Sequence, residues 1–339
     1  MGLTNFPNGI TSFGIPVLGS LGIPFTGKYF FVDPANGSDG NTGLSPSKAL
    51  STLYKAHSLC TAGKNDVVFL IGDGSTAATA RLSTAIAQTV DSTATTGTLT
   101  WSKRATHLIG ITAPTAHSQR ARIAPPTGTY TMATFGSGNF IVVSAQGCLF
   151  ANLSVFNGFS TGGASQIAWT DSGGRNSYIN CNLQGMGDAN AAATTTGASL
   201  LITGSTGENT FDGCTIGLTT VPRSTGASEI KFASGSPRNV FRNCIIETTS
   251  AAGADFWIAA PSGSIDRTVD FDNCTFTNCI GAGAVILTKG INEHASCGGA
   301  ILLKNCLVYG ATAIASNSLV YTNQANAATA GSKVAVASA

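Results

Sequence analysis

Asp270 and Asp272 flank Phe271 in the stretch "TVDFDNCTF". Alternate side chains of a strand share a face, so an inward Phe271 would send both carboxylates outward together. Paired carboxylates are the equipment of glycoside hydrolysis, one as acid and one as base or nucleophile. With more oxygens, such a patch binds calcium. Asp266 and Arg267 lie just upstream. The matching positions in other coils are Asn209 and Asp212, Asn239 and Arg242, and Leu302 and Lys304, so no acidic groove continues along the chain. The pair therefore reads first as a solvated face, with a catalytic or calcium-binding patch as the weaker alternative.

A second constellation is "INEHASC" at 291–297, which sets Glu293 beside His294 with Cys297 three residues on. A carboxylate next to an imidazole could relay a proton, and Cys with His could form a nucleophile pair. Neighbours in a loop do not face one another reliably, and His57, His107 and His117 are far off in sequence. "GSTGE" at 204–208 is too short for a phosphate loop. The nine cysteines include no CxxC pair, which argues against a zinc site. The expectation is a protein with no catalytic residues, no metal and no cofactor.

Composition narrows the partners. Only 10% of residues are charged, with 18 basic against 16 acidic, which does not suit a phosphate-neutralising surface. Nucleic acid is therefore not an expected partner. No run approaches the ~18 apolar residues that a spanning helix needs, and no charged segment precedes a leader-like stretch. The reading is a soluble protein made in a cytoplasm, with no membrane partner. The odd cysteine count reads as reduced, buried thiols.

The elements that must hold these residues come from an internal repeat. The segments "FANLSV", "YINCNL", "FDGCTI", "FRNCII", "FDNCTF" and "LKNCLV" start at 150, 178, 211, 241, 271 and 303. Their spacings of 28, 33, 30, 30 and 32 residues indicate a solenoid. A further strand precedes each of the first five: "QIAWT" at 166, "LLIT" at 200, "EIKFA" at 229, "FWIAA" at 256 and "VILT" at 285, while "LVYT" at 319 follows the last. Strand and turn alternate with no helical period, the pattern of a parallel β-helix. Stacked coils would place Leu153, Cys181, Cys214, Cys244, Cys274 and Cys306 in one inward column, packing as small hydrophobes. Phe150, Tyr178, Phe211, Phe241, Phe271 and Leu303 would form a bulkier one. Asn152, Asn180, Gly213, Asn243, Asn273 and Asn305 would sit at a bend, where Asn and Gly tolerate left-handed backbone.

Upstream, "KYFFVD" (28–33), "DVVFLIGDG" (66–74), "THLIGIT" (106–112), "ARIAPP" (121–126) and "NFIVVSAQGCLF" (139–150) read as strands. Residues 45–60 read as a helix, with Ser45 as N-cap, Pro46 in the first turn, and Ala49, Leu50, Leu53, Ala56 and Leu59 on one face. A helix here would cover the open end of the solenoid. Residues 75–105, rich in Thr, Ala and Ser, read as a protrusion.

"KYFFVDPANGSDGNTGLSPSKALSTLYKA" followed by "DVVFLIGDG" resembles the opening of pectate-lyase-like right-handed parallel β-helix proteins. Preceded by "TNFPNGITSFGIPVLG", it is similar to a group of phage virion β-helix proteins that includes tailspikes and capsid decoration proteins. The likeness covers about residues 1–75 and fixes no catalytic residue. It implies an all-β, right-handed parallel β-helix at 28–325, with a short capping helix near residues 46–60. An extended arm at 1–27 precedes it and a tail at 326–339 follows.

The arm has Phe6, Pro7, Ile10, Phe13, Ile15, Pro16, Val17, Leu18, Ile23 and Phe25 as anchors and no charge. Pro7, Pro16 and Pro24 exclude a regular helix or an interior strand, so the apolar groups need another surface. The expected function is a non-enzymatic virion protein, a capsid decoration or cement protein. The resemblance implies a homotrimer, docked on the major capsid protein by the arm, at the capsid surface. The alternative is a tailspike-like protein that binds or cleaves a host polysaccharide.

Overall fold

The computed structural model describes residues 27–72, 98–112, 115–117, 121–124, 139–158, 166–188, 195–279, 285–315 and 317–323, with short backbone pieces at 11–12 and 15–16. Among them three parallel sheets wrap one core. The ten-stranded first sheet begins at Tyr29–Val32 and ends at Val320–Thr322; it holds the aromatic end of each repeat, as in Thr210–Asp212 and Thr268–Asp272. The seven-stranded second sheet takes the residues after the bend, as in Ile245–Ser250 and Thr275–Asn278. The seven-stranded third sheet, from Leu99–Trp101 to Ile291–Glu293, supplies the strand before each repeat.

The bend is where the sequence speaks most directly. Asn152, Asn180, Gly213, Asn243, Asn273 and Asn305 all have positive φ, between 50° and 62°. A residue with a bulky side chain pays a steric cost there that Gly avoids and Asn offsets with a side-chain hydrogen bond. The amides then bond from coil to coil: Asn273 Nδ2 donates to Asn243 Oδ1 at 2.8 Å, and Asn243 Nδ2 donates to Asp212 Oδ1 at 3.0 Å.

Inside, like stacks on like. Rings of Tyr178, Phe211, Phe241 and Phe271 lie 4.4, 4.6 and 4.5 Å apart and within 10° of parallel. Beside them Cys181, Cys214, Cys244, Cys274 and Cys306 are buried. Each thiol reaches the carbonyl of the aromatic residue one coil back, as Cys244 Sγ reaches Phe211 O at 3.6 Å. Burial pushes the Cys214 and Cys244 thiols well up and the Cys60 thiol to about 12.

The expected helix over 45–60 is broken in two. A 3-10 turn covers Pro46–Lys48, and the α-helix is Leu53–Leu59. Between them Leu50 is drawn into a parallel bridge with Val32, its N–H on Phe31 O at 2.8 Å. The N-cap is therefore Thr52, whose hydroxyl accepts from Lys55 N; Ser45 caps only the short turn and makes no side-chain bond. Asp39 holds the junction, taking four hydrogen bonds from the backbone and hydroxyls of Ser51 and Thr52. Leu59 lies exposed rather than on the buried face.

"VILT" at 285 forms no strand; the third sheet uses Ile291–Glu293 instead, with Ile291 opposite Ile258. "LVYT" supplies the last rung of the first sheet, Ile301 opposite Val320. "NFIVVSAQGCLF" divides into Asn139–Val143 and Leu149–Ala151. The arm anchors, the tail and residues 73–97 lie outside the described residues, apart from an antiparallel pairing of Thr11–Ser12 with Ile15–Pro16.

Two expectations follow from this packing. In native protein, Cys279, exposed, should react with a soluble disulfide reagent at once, and the eight buried thiols only on unfolding; fast labelling of Cys214 or Cys244 would break the column. Near the N-terminal end, His107 Nδ1 accepts from Leu149 N at 3.0 Å and His57 Nε2 from Ser102 N at 3.3 Å. Burial lowers both imidazoles to about 4. The unfolded chain takes up these protons below about pH 6.5 and the native one does not, so stability falls as pH drops from about 6.5 to about 4. In His107→Gln, the slope of urea-derived stability against pH in that window should be shallower by up to about one proton.

Candidate functional site

Thr268–Asp272 alternates as expected: Val269 and Phe271 are buried, and Asp270 and Asp272 face outward, half-buried. Register decides their surroundings. Asp272 lies between Arg242 and Lys304, and Arg242 lies between Asp212 and Asp272. Opposite charges thus alternate in register at the ~4.8 Å rung spacing. Asp270 lies instead between Val240 and Leu302, and its Oδ1 is buried without a hydrogen bond. The two carboxylates share a face but not an environment. Asp266 and Arg267 form an exposed pair at 3.4 Å.

The 291–297 group is dispersed by the strand it ends. Glu293 is buried, and its carboxylate accepts from Asn317 N. His294 is exposed and its Nδ1 accepts from Ser296 N at 3.0 Å. Cys297 Sγ reaches Pro261 O at 3.2 Å. Neither a Glu–His relay nor a Cys–His pair is assembled. Lys289, Asn292, Glu293, His294 and Asn317 do line one open hollow of about 540 Å³, floored by Ala259, Ala260 and Pro261.

One buried set of ionisable groups among the described residues was not expected from the sequence. Arg223 and Glu229, both fully buried, pair with Nε to Oε1 at 2.8 Å. The guanidinium also donates to Met186 O at 2.6 Å and Gly185 O at 2.9 Å. Glu229 accepts from Ser199 Oγ at 2.6 Å and Thr248 Oγ1 at 2.9 Å. Glu247, in the next coil, faces His117 Nδ1 at 3.4 Å. Burial pushes the Glu247 carboxyl up, His117 draws it down and Glu229 pushes it up again. Gly217, at φ 119°, runs so close that a Cβ would strike the Glu247 carbonyl.

Two carboxylates in unlike environments are the pattern of an acid and base pair. Here Glu229 is spent on internal bonds, and the arrangement ties successive coils together. No local motif marks it, because Arg223 and Glu229 are joined across a turn and Thr248 arrives a coil later. The only sequence signal is a pair of opposite charges in a chain poor in charge. Removing one member of a buried pair leaves the other uncompensated, typically costing about 3–5 kcal/mol. Glu229→Gln should lower the unfolding free energy by that order in urea titration, and an unchanged midpoint would remove the pair from the framework.

No family model matches this chain, and no curated protein does. Solved structures do. A pectin methylesterase in complex with a hexasaccharide is 15% identical, with 86% of this chain and 80% of that one covered and a TM-score of 0.51. Pectate lyase Pel9A is 12% identical, with 87% and 78% covered and a TM-score of 0.50. The pectin methylesterase of Aspergillus niger is 15% identical, with 90% and 82% covered and a TM-score of 0.48. Likeness at this identity is likeness of fold: the chain is an all-β, right-handed parallel β-helix of the pectate-lyase-like architecture.

Proposed function

We propose that this chain is a non-enzymatic structural protein of a phage virion, a capsid decoration or cement protein. It docks on the major capsid protein through its N-terminal arm, associates as a homotrimer and projects its β-helix from the particle surface. The observation behind the non-enzymatic reading is that two of the carboxylates among the described residues with the most partners, Glu208 and Glu229, are taken up by the protein itself. Glu208 is held by Arg175 and Arg238, and Glu229 is saturated by Arg223, Ser199 and Thr248. A hydrolase needs a carboxylate free to reach its substrate. The virion reading rests on the opening segment and on the uncharged apolar arm.

A second reading is polysaccharide binding or cleavage, as in a tailspike. The hollow lined by Lys289, Asn292 and His294 favours it, because it sets charged and amide groups over an apolar floor. The solved neighbours named as pectate lyase and pectin methylesterase keep the same reading open.

Deleting residues 1–24 should abolish incorporation into particles and leave the solenoid folded, as read by its far-ultraviolet spectrum. Incorporation at wild-type copy number would refute the docking arm. Replacing Asp270 and Asp272 by Asn should leave function unaltered. A reducing-end assay on host polysaccharide that shows turnover in the wild type, lost in this variant, would reverse the ranking.

A further inference from the structure

The bend that leads into the first sheet carries a row of charges. Asn65, Ala105, Gly147, Arg175, Glu208 and Arg238 recur there with φ between 48° and 68°. Backbone bonds tie each to the next coil: Asn65 N to Ala105 O, Ala105 N to Gln146 O, Gly147 N to Arg175 O, Arg175 N to Gly207 O and Glu208 N to Pro237 O. Lys64 and Arg104 stand one residue before the first two, and the register of Asn239 with Val269 puts Arg267 one rung beyond Pro237. Lys64, Arg104, Arg175, Arg238 and Arg267 are all exposed, and the acids along the row are Glu208 and Asp266. Glu208 accepts from Arg175 Nε at 2.8 Å and from Arg238 Nε at 3.0 Å, which holds both guanidinium groups in place. Each is still at least half exposed and keeps further N–H donors for a ligand. At its other end the row opens on a hollow of about 480 Å³ lined by Lys28, Thr61, Gly63 and Lys64. The acid there, Asp66, is buried and accepts from Lys28 N at 2.7 Å and Thr61 N at 2.6 Å.

Spacing selects the ligand. Arg104, Arg175 and Arg238 take alternate rungs, ~10 Å apart, with Gln146 and Glu208 on the rungs between. A strand of nucleic acid brings a phosphate every ~3.4 Å, so most of its charges would meet no cation and some would meet Glu208. A chain of sugars with a carboxylate on every second unit presents its charges more sparsely. Its neutral sugars bring hydroxyls, rather than another anion, to Gln146 and Glu208. We propose that this bend is a binding surface for an extended acidic polysaccharide with carboxylates on alternate sugars, lying along the solenoid from the Lys28 and Lys64 hollow to Arg238. The inference goes beyond the virion reading: it needs neither the arm nor cleavage, and it uses other residues than the hollow at Lys289.

The test uses the full chain in solution, without particles, and fluorescently labelled hyaluronan, which carries a carboxylate on every second sugar. Anisotropy at neutral pH and low salt should show binding that weakens about tenfold at physiological salt, and neutral dextran should not bind. Lys64→Gln with Arg104→Gln should weaken binding about tenfold. Lys231→Gln with Lys304→Gln, which removes the same charge elsewhere, should leave it unchanged. No binding by the wild type, or an equal loss in both double variants, would overturn the proposal. Tighter binding of single-stranded oligothymidylate than of hyaluronan would overturn it in favour of nucleic acid. If a variant does not fold, the wild-type comparison of the three polymers decides. Failure to bind the shell would overturn the virion reading and leave these results intact, so the two are separable.

Discussion

Every coil of this molecule must present, one rung spacing above its predecessor, a side chain that packs on its own kind. That condition governs the rest. The stacked rings of Tyr178, Phe211, Phe241 and Phe271, 4.4 to 4.6 Å apart, occupy the full height of each rung. A rung with a larger group would push its neighbours apart, and one with a smaller group would open a void. The bend enforces the register from outside, because a left-handed Asn or Gly turns the chain at the same point in every repeat.

That mutual constraint is why so much of the fold was legible. Aromatic, Asn and Cys positions recur because each faces an equivalent neighbour, and the recurrence shows in one chain read alone. The exceptions have local causes. "VILT" is as apolar as a strand should be, yet the ladder runs through Ile291–Glu293, whose Ile291 continues the column of Ile230 and Ile258. The helical face over 45–60 was real in composition, but Leu50 is more strongly engaged by Val32 and Phe31 than by a helical turn. Backbone pairing overrode local periodicity in both places.

Candidate chemistry was less legible, for a related reason. Asp270 and Asp272 were found as a pair by alternation, but what each meets depends on the coils above and below, and only the register brings in Arg242, Lys304, Val240 and Leu302. The Arg223–Glu229 pair shows the same dependence more sharply. Its bonds to Gly185, Met186, Ser199 and Thr248 cross several repeats, and no short motif could encode them. Glu247, raised by burial and balanced by His117, belongs to this framework rather than to an open cleft.

The thiols described above point to something else about the molecule. Each Cys of the column reaches the carbonyls of its own coil and of the coil before it, as Cys274 does with Asp272 and Phe241. Interactions of that range make the height of the solenoid a free variable. A unit of about thirty residues could be gained or lost between two coils with both new neighbours still matched, and each would change the height by ~4.8 Å. A protein built this way can act as a ruler whose graduations are set by gene duplication, while the cap at one end stays unchanged.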